Sequence, residues 1–172
     1  MDAKPANVDS AAESRVEAAY MRYANSLIAY AGMLTGDMAK AEDCVHAIFL
    51  SLFRHFLKGG KVQDTRAYLY ASIRNEVKQH GYSSAREQSA LENLPAAGLT
   101  SSAVTFNPMH LEKTYQALAN LHFEQREVIE LKYFHSLPYA DIAAITGVSV
   151  NTAMSRGRLA LKHLRRILSG SE

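Results

Sequence analysis

The residues of this chain that are best suited to recognition chemistry lie near its C-terminal end. Small polar side chains come first there and a run of cations follows: Asn151, Thr152, Ser155, Arg156, Arg158, Lys162, Arg165 and Arg166. No Asp or Glu occurs between Ile142 and Ser171. Short polar groups can reach base edges, while guanidinium and ammonium groups contact phosphates. This composition favours binding to duplex nucleic acid over catalysis.

A helix-turn-helix is the element that would position these groups. Ile142, Ala143 and Ile145 predict a short first helix with one buried side, Gly147 supplies the positive φ of a tight turn, and Ser149 is a good N-cap. In the second helix, apolar residues recur at helical spacing and are expected to face inward: Val150, Ala153 or Met154, Gly157, Leu161, Leu164 and Leu168. The polar and basic side chains then face outward, as a helix in the major groove requires.

The charge of the chain is concentrated locally, although it is small overall. The formal net charge is +2 for 172 residues. Residues 111–172 hold eight Lys and Arg, and five of them lie between Arg156 and Arg166. Phosphate contact depends on such local concentration more than on net charge.

Other features argue against secretion, membrane insertion and metal chemistry. Cys44 is the only cysteine, so no intrachain disulfide can form. No apolar run approaches the ~18 residues of a membrane span, and the N-terminus lacks the pattern of a signal peptide. The seven histidines form no His-x-x-x-His pair, and no phosphate loop or catalytic triad is present. We expect a cytoplasmic protein that is not an enzyme and needs no metal or cofactor.

The first 85 residues predict a bundle of three amphipathic helices. The first apolar stripe ends at Thr35-Gly36, Asp37 caps the second helix, Gly59-Gly60 ends it, and Asp64 or Thr65 starts the third. The stripes are Val16, Tyr20, Tyr23, Leu27, Tyr30, Ala31 and Leu34; Ala41, Val45, Ile48, Phe49, Leu52, Phe53 and Phe56; and Leu69, Ile73 and Val77.

A second helical domain is expected at residues 108–172, after a flexible linker at 86–107. The linker is rich in small residues and lacks periodicity. Pro108 then opens a helix that runs through Leu121, and another is predicted from Glu124 to Phe134 before the helix-turn-helix. The fold class is all-α, with two small domains.

Two stretches of the chain resemble the bacterial RNA polymerase sigma factors of the extracytoplasmic-function (ECF) type. One stretch reads Ala-Glu-Asp-Cys-Val-His-Ala-Ile-Phe-Leu at 41–50 and Arg-Ala-Tyr-Leu-Tyr-Ala-Ser-Ile-Arg-Asn at 66–75. The other spans 118–168 and includes Glu-Gln-Arg-Glu-Val at 124–128 and Tyr-Ala-Asp-Ile-Ala at 139–143. The first is similar to the domain that holds the polymerase clamp and the minus-ten element, the second to the domain that reads the minus-thirty-five element.

The resemblance implies a promoter-specific initiation factor that is a monomer when free. Its partners would be core RNA polymerase (clamp and flap), promoter DNA and an anti-sigma factor. The clamp contacts it implies are Glu42, Asp43, His46 and Ala47. The minus-ten contacts it implies are Arg74, Asn75, Lys78 and His80, with Tyr68 and Tyr70 available to pack or stack. The minus-thirty-five contacts it implies are Asn151, Thr152, Ser155, Arg156, Arg158, Lys162 and Arg165.

The chain departs from the family pattern on the clamp face. His46 and Ala47 stand where the family usually has a glutamine and an acid, and the end of the third predicted helix is less basic than usual. Two alternatives therefore stay open at this point. One is a sigma-like decoy that binds an anti-sigma factor without starting transcription, and the other is a dimeric helix-turn-helix regulator on a palindromic site.

Overall fold

The computed structural model describes residues 6–80 and 108–170, and all regular secondary structure in these two ranges is helical. Internal packing divides the chain into two units, Met1–Ala85 and Arg86–Glu172. The all-α class predicted from the sequence is confirmed. The predicted linker, 86–107, lies outside the described residues. Among the helices described, none is both long and apolar enough to cross a membrane.

The first unit contains α1 (Ala6–Thr35), α2 (Met38–Leu57) and α3 (Thr65–Gln79). These helices pack on one another through the predicted stripes, whose fully buried members include Leu27, Tyr30, Leu34, Val45, Leu52, Leu69 and Ile73. Tyr70 is also buried and packs on Tyr30, with 5.3 Å between ring centroids. Tyr70 therefore belongs to the core, whereas Tyr20 remains 38% exposed.

Helix ends in this unit follow the predicted capping residues. The carboxylate of Asp37 accepts hydrogen bonds from the amides of Ala39 and Lys40, and that of Asp64 accepts one from Ala67. Such side-chain acceptors satisfy amides that a helix leaves unpaired at its start. The left-handed φ of Gly36 (70°) ends α1. The predicted end of α1, both predicted ends of α2 and the predicted start of α3 are thereby confirmed.

The second unit contains α4 (Pro108–Ala119), α5 (Phe123–Ile129), a π-helical segment (Glu130–Phe134), α6 (Tyr139–Thr146) and α7 (Val150–Leu168). Its core cluster includes Leu118, Leu121, Ile129 and Ala160, against which Phe134 and Leu164 pack. The helix predicted from Glu124 to Phe134 is thus α-helical up to Ile129 and π-helical from Glu130 onward. Within the wider turn, the amide of His135 bonds to the carbonyl of Glu130, five residues back, at 3.1 Å.

Candidate nucleic-acid interface

The turn between α6 and α7 has the geometry of a helix-turn-helix. Gly147 adopts φ 71°, ψ 32°, and the Val148 amide donates to the Ala143 carbonyl at 3.1 Å. Ser149 then caps α7, because its hydroxyl oxygen accepts the Thr152 amide at 3.1 Å. The roles predicted for Gly147 and Ser149 are confirmed. These two residues set the direction in which α7 leaves the turn.

The outer face of α7 presents most of the predicted DNA-contacting side chains to solvent. Its exposed members are Asn151, Thr152, Ser155, Arg158, Lys162 and Arg165. Arg156 is half-buried on the flank of the helix, and the Thr152 hydroxyl lies 2.8 Å from the Ser149 hydroxyl. Asn151, Ser155, Arg158 and Lys162 recur every three or four residues, so they form one row along the helix. This row can enter a groove while the helix stays packed.

The buried face of α7 differs from the predicted inward stripe. Ala153, Gly157 and Ala160 are buried, whereas large apolar residues predicted to face inward are 40–50% exposed: Val150, Met154, Leu161 and Leu168. Of the predicted stripe, Ala153 and Gly157 are buried and Leu164 is half-buried. The prediction was wrong for these four large residues because small side chains let α7 approach its neighbours closely. The Ala-Gly-Ala spacing at 153, 157 and 160 was the signal in the sequence.

Tyr139 packs against α7 at Gly157. A Cβ atom at Gly157 would lie 2.7 Å from the Tyr139 hydroxyl and 3.3 Å from Cγ1 of Val128. The Nζ of Lys132 lies 5.0 Å from the centroid of the Tyr139 ring. Burial raises the pKa of Tyr139, and the neighbouring Tyr133 raises it further, while Arg158 lowers it. The tyrosine thus fills the place that a side chain at position 157 would need.

The predicted minus-ten residues lie together at the end of α3. Asn75, Lys78 and His80 are exposed, and Arg74 is half-buried. His80 lies at the C-cap, where its Nε2 is 3.0 Å from Oε1 of Glu76. The opposite side of α3 carries the buried residues Leu69, Tyr70, Ile73 and Val77.

The region around the turn between α2 and α3 adds cations and the His55 ring, which the sequence reasoning missed. Arg54, Lys58 and Lys61 are exposed there. The His55 ring lies against Gly60, where a Cβ atom would come within 2.5 Å of ring atoms. His55 also stacks on Tyr68, with 6.4 Å between centroids and 25° between planes. The run Arg54-His55 to Lys61 could have drawn attention to this turn as a second basic surface.

The predicted clamp contacts share one exposed face of α2. Glu42, Asp43, His46 and Ala47 are all exposed, and Leu50, one turn beyond His46, is 55% exposed. The other side of α2 is the core of the unit. Between the two sides, Cys44 is buried, and this burial raises the pKa of its thiol, with smaller effects from Glu76 and Asp43. In the ranges 6–80 and 108–170, no group of three or more His, Cys, Asp or Glu side chains could hold a metal ion.

An all-α chain with a helix-turn-helix and an exposed cationic row belongs to the class of DNA-binding proteins, and comparison with known proteins narrows the class. Residues 19–86 match the family model for Sigma-70 region 2, and residues 111–164 match that for Sigma-70, region 4. The ECF RNA polymerase sigma factor SigL of Mycobacterium tuberculosis, in strains Erdman, CDC 1551 and H37Rv, is 30% identical over 182 residues, covering 96% of each chain.

Solved structures of similar fold extend the comparison. The sigma factor RpoE from Bartonella quintana, in complex with the anti-sigma factor NepR, is 25% identical with a TM-score of 0.64, covering 91% of this chain and 98% of that one. CnrH, in complex with the cytosolic domain of CnrY, shares the fold with a TM-score of 0.65 at 18% identity, covering 97% of this chain and 96% of that one.

The chain belongs to the ECF family of RNA polymerase sigma factors. It is a sigma factor for promoter-specific transcription initiation. The resemblance seen in the sequence is thereby confirmed.

Proposed function

We propose that this sigma factor reads the minus-thirty-five element with the exposed row of α7. The observation that carries the proposal is the outward row of Asn151, Ser155, Arg158 and Lys162 on a helix whose opposite side is buried. Asn151, Thr152 and Ser155, at the N-terminal end, are placed to reach base edges, as the first residues of a recognition helix do. Arg158, Lys162 and Arg165 lie further along and contact backbone phosphates.

Arg156 has a different position from the other cations of α7. It is half-buried on the flank of the helix, beside the turn that contains Thr152. A guanidinium on the flank is suited to a base edge or phosphate at the rim of the groove, because its long side chain can extend around the helix. We assign Arg156 to the rim of the minus-thirty-five contact.

The first unit contacts the minus-ten element and the polymerase clamp on two different surfaces. Arg74, Asn75, Lys78 and His80 on α3 supply the minus-ten contacts. Supporting this assignment, the stacked rings of His55 and Tyr68 lie near exposed cations, and aromatic platforms beside positive charge suit unpaired bases. The clamp contacts are Glu42, Asp43, His46 and Ala47 on α2. The domain roles follow: 1–85 for clamp and minus-ten, 86–107 as linker, and 108–172 for minus-thirty-five and flap.

The proposed mechanism is that of a cytoplasmic transcription regulator that catalyses no reaction itself. The factor is a monomer when free, and an anti-sigma factor holds it inactive. The likeness to the Bartonella sigma factor, whose structure is that of a complex with an anti-sigma factor, supports the second statement. Co-purification from the native host tests it: a further protein besides the polymerase subunits is expected, and recovery of polymerase subunits alone contradicts it.

Promoter binding by variants of α7 tests the residue assignments. The holoenzyme is titrated with a minus-thirty-five duplex and with a scrambled duplex over a range of salt concentrations. Asn151→Ala should weaken the specific complex by about 1–3 kcal/mol and leave the scrambled complex unchanged. Lys162→Ala should weaken both complexes and lower the salt slope by about 1. Lys113→Ala, an exposed lysine on α4, is the charge-matched control.

The outcome can contradict the assignments in a specific way. If Asn151→Ala weakened both duplexes equally, Asn151 would be a phosphate contact and not a base contact. If neither Asn151→Ala nor Lys162→Ala differed from Lys113→Ala, α7 would not be the reading helix.

The clamp assignment requires a separate measurement with core polymerase. Asp43→Lys reverses the charge of one exposed carboxylate on α2, so retention of the protein by immobilised core polymerase should fall at least about tenfold, the effect expected for a misplaced charge at an interface. Unchanged retention would contradict the assignment. Binding to an anti-sigma factor without any transcript from core polymerase would instead favour the sigma-like decoy.

A further inference from the structure

Three rings form a column between α1 and α2, at the edge of the proposed polymerase-binding face. Tyr20 of α1 meets buried Phe49 edge-on, with centroids 5.0 Å apart and planes at 63°. On the same tyrosine lies His46 of α2, nearly parallel at 11° with centroids 6.5 Å apart. Both arrangements fall within the separations at which ring pairs attract. The column connects the core of the unit with an exposed imidazole.

The column changes the character of the surface next to it. Tyr20 is 38% exposed and Leu50 55% exposed, and both are large apolar side chains. His46 and Ala47 lie between the two acidic residues, Glu42 and Asp43, and Leu50 along the exposed face of α2. The imidazole is parallel to the tyrosine ring and offset from it, so the contact limits the orientations that the imidazole can adopt. The face therefore has an aromatic and aliphatic part next to an acidic part.

We propose that Tyr20 is a positioning residue of the polymerase-binding face: it holds the His46 ring in place, so that His46, Ala47 and Leu50 form one patch for core polymerase. The proposal rests on the proposed use of this face of α2 for the clamp. The partner surface it fits is apolar at its centre and basic at one side, where it meets Glu42 and Asp43.

Two properties of the site support a positioning role over a purely structural one. Tyr20 is partly exposed, while the residue before it, Ala19, is buried and Leu27 is fully buried further along α1. Removing the Tyr20 ring thus takes away one edge-on contact with Phe49 and leaves Ala19 and Leu27 in place. Glu42 and Asp43 precede His46 on the exposed face of α2, and Ala47 and Leu50 follow it. The ring contact that orients the imidazole is the nearly parallel one with Tyr20.

A double-mutant cycle measured on core-polymerase affinity tests the proposal. The full chain, labelled at its N-terminus, is titrated with core polymerase from the native host, and fluorescence anisotropy gives Kd. Tyr20→Leu and His46→Ala should each weaken binding by about threefold to tenfold, the range that corresponds to the worth of a ring pair. Since Tyr20 acts through His46, Tyr20→Leu should change Kd by less than about twofold when His46 is already alanine.

Two further variants separate positioning from folding. Tyr20→Phe keeps the ring and should restore the affinity that Tyr20→Leu loses. Met21→Ala removes an 81% exposed side chain next to Tyr20 but outside the column, and should leave Kd unchanged. Melting temperatures of all variants are recorded, because a structural role would lower them in proportion to the loss of binding.

The outcomes distinguish this inference from the proposed function on which it rests. Equal losses from Tyr20→Leu in both His46 backgrounds, or no loss at all, would overturn the positioning role. If Asp43→Lys still reduced binding in that case, the clamp assignment would hold without the positioning role of Tyr20. If Asp43→Lys, Leu50→Glu and Tyr20→Leu all bound as the wild type does, the face itself would be wrong.

Discussion

Gly157→Ala should destabilise the second unit through one contact, that with the Tyr139 hydroxyl. A Cβ atom at this position lies 2.7 Å from the hydroxyl oxygen, below any normal contact distance, while Val128 Cγ1 and Tyr139 Cε1 lie 3.3 and 3.4 Å away. Overpacking of this kind costs about 1–3 kcal/mol. Alanine in place of glycine within a helix gains about 1 kcal/mol. We expect a net loss of about 1 kcal/mol, equal to a fall of about 4–8 °C in melting temperature for a unit of this size.

Removing the hydroxyl should reverse the sign of this effect. In a Tyr139→Phe background, the shortest contact that remains is the one of 3.3 Å to Val128, so the helical preference of alanine dominates. Gly157→Ala should then be neutral or stabilise by up to about 1 kcal/mol. The coupling between the two substitutions is therefore about 1–2 kcal/mol.

Thermal unfolding followed by circular dichroism measures the double-mutant cycle of Gly157→Ala and Tyr139→Phe. Amide hydrogen exchange in α6 and α7 assigns the unfolding transition to the second unit. Gly147→Ala is the control. Gly147 has φ 71°, and a Cβ atom there would meet no other atom within 4 Å. The loss of stability of about 1 kcal/mol expected for Gly147→Ala therefore comes from backbone conformation and not from a steric contact. Tyr139→Phe should not change that cost. If Tyr139→Phe reduced the destabilisation by Gly147→Ala as much as that by Gly157→Ala, or reduced neither, the contact between position 157 and the Tyr139 hydroxyl would not be the cause.

Three other predictions concern stability and reactivity. Asp37→Ala should lower the melting temperature of the first unit. Because the Lys40 amide and side chain hold the pKa of Asp37 below its ordinary value, the difference from wild type should be full at neutral pH, begin to fall below about pH 4 and be lost as the pH drops through the lowered pKa of the folded state. A pH series of melts checks this. Ile142→Ala, at a fully buried site in α6, should cost about 2–5 kcal/mol in a urea titration, while Ala144→Ser on the exposed side should cost almost nothing. Cys44 should react with a maleimide at neutral pH far more slowly in the folded protein than in urea, since burial both shields the thiol and raises its pKa; rapid labelling of the native protein would contradict its burial.

Local signals in the sequence were sufficient to predict the helix ends and the turn between α6 and α7. A residue such as Asp37, Gly147 or Ser149 acts on amides and carbonyls within a few positions of itself, so its role can be deduced without knowing the tertiary structure. The outward row of α7 was predictable for the same reason, because helical spacing alone places Asn151 and Lys162 on one side.

Features that depend on close packing between helices could not be predicted from apolar periodicity. Leu161 fits a helical stripe as well as Ala160 does, and the choice between them depends on how closely α7 approaches its neighbours. The π-helical turn after Ile129 has no strong local signal. The contact of Tyr20 with His46 joins residues 26 positions apart, so it appears only when α1 and α2 are packed together.

The central claim, that the chain directs core polymerase to a promoter through the exposed row of α7, is tested most directly by transcription in vitro. Purified protein and core polymerase are supplied with a library of genomic fragments, and the 5′ ends of the transcripts are mapped. We predict a small set of discrete start sites that share a minus-thirty-five sequence, and loss of these starts with Asn151→Ala but not with Lys113→Ala. Transcripts without a shared upstream sequence, or starts that persist unchanged in Asn151→Ala, would contradict the claim.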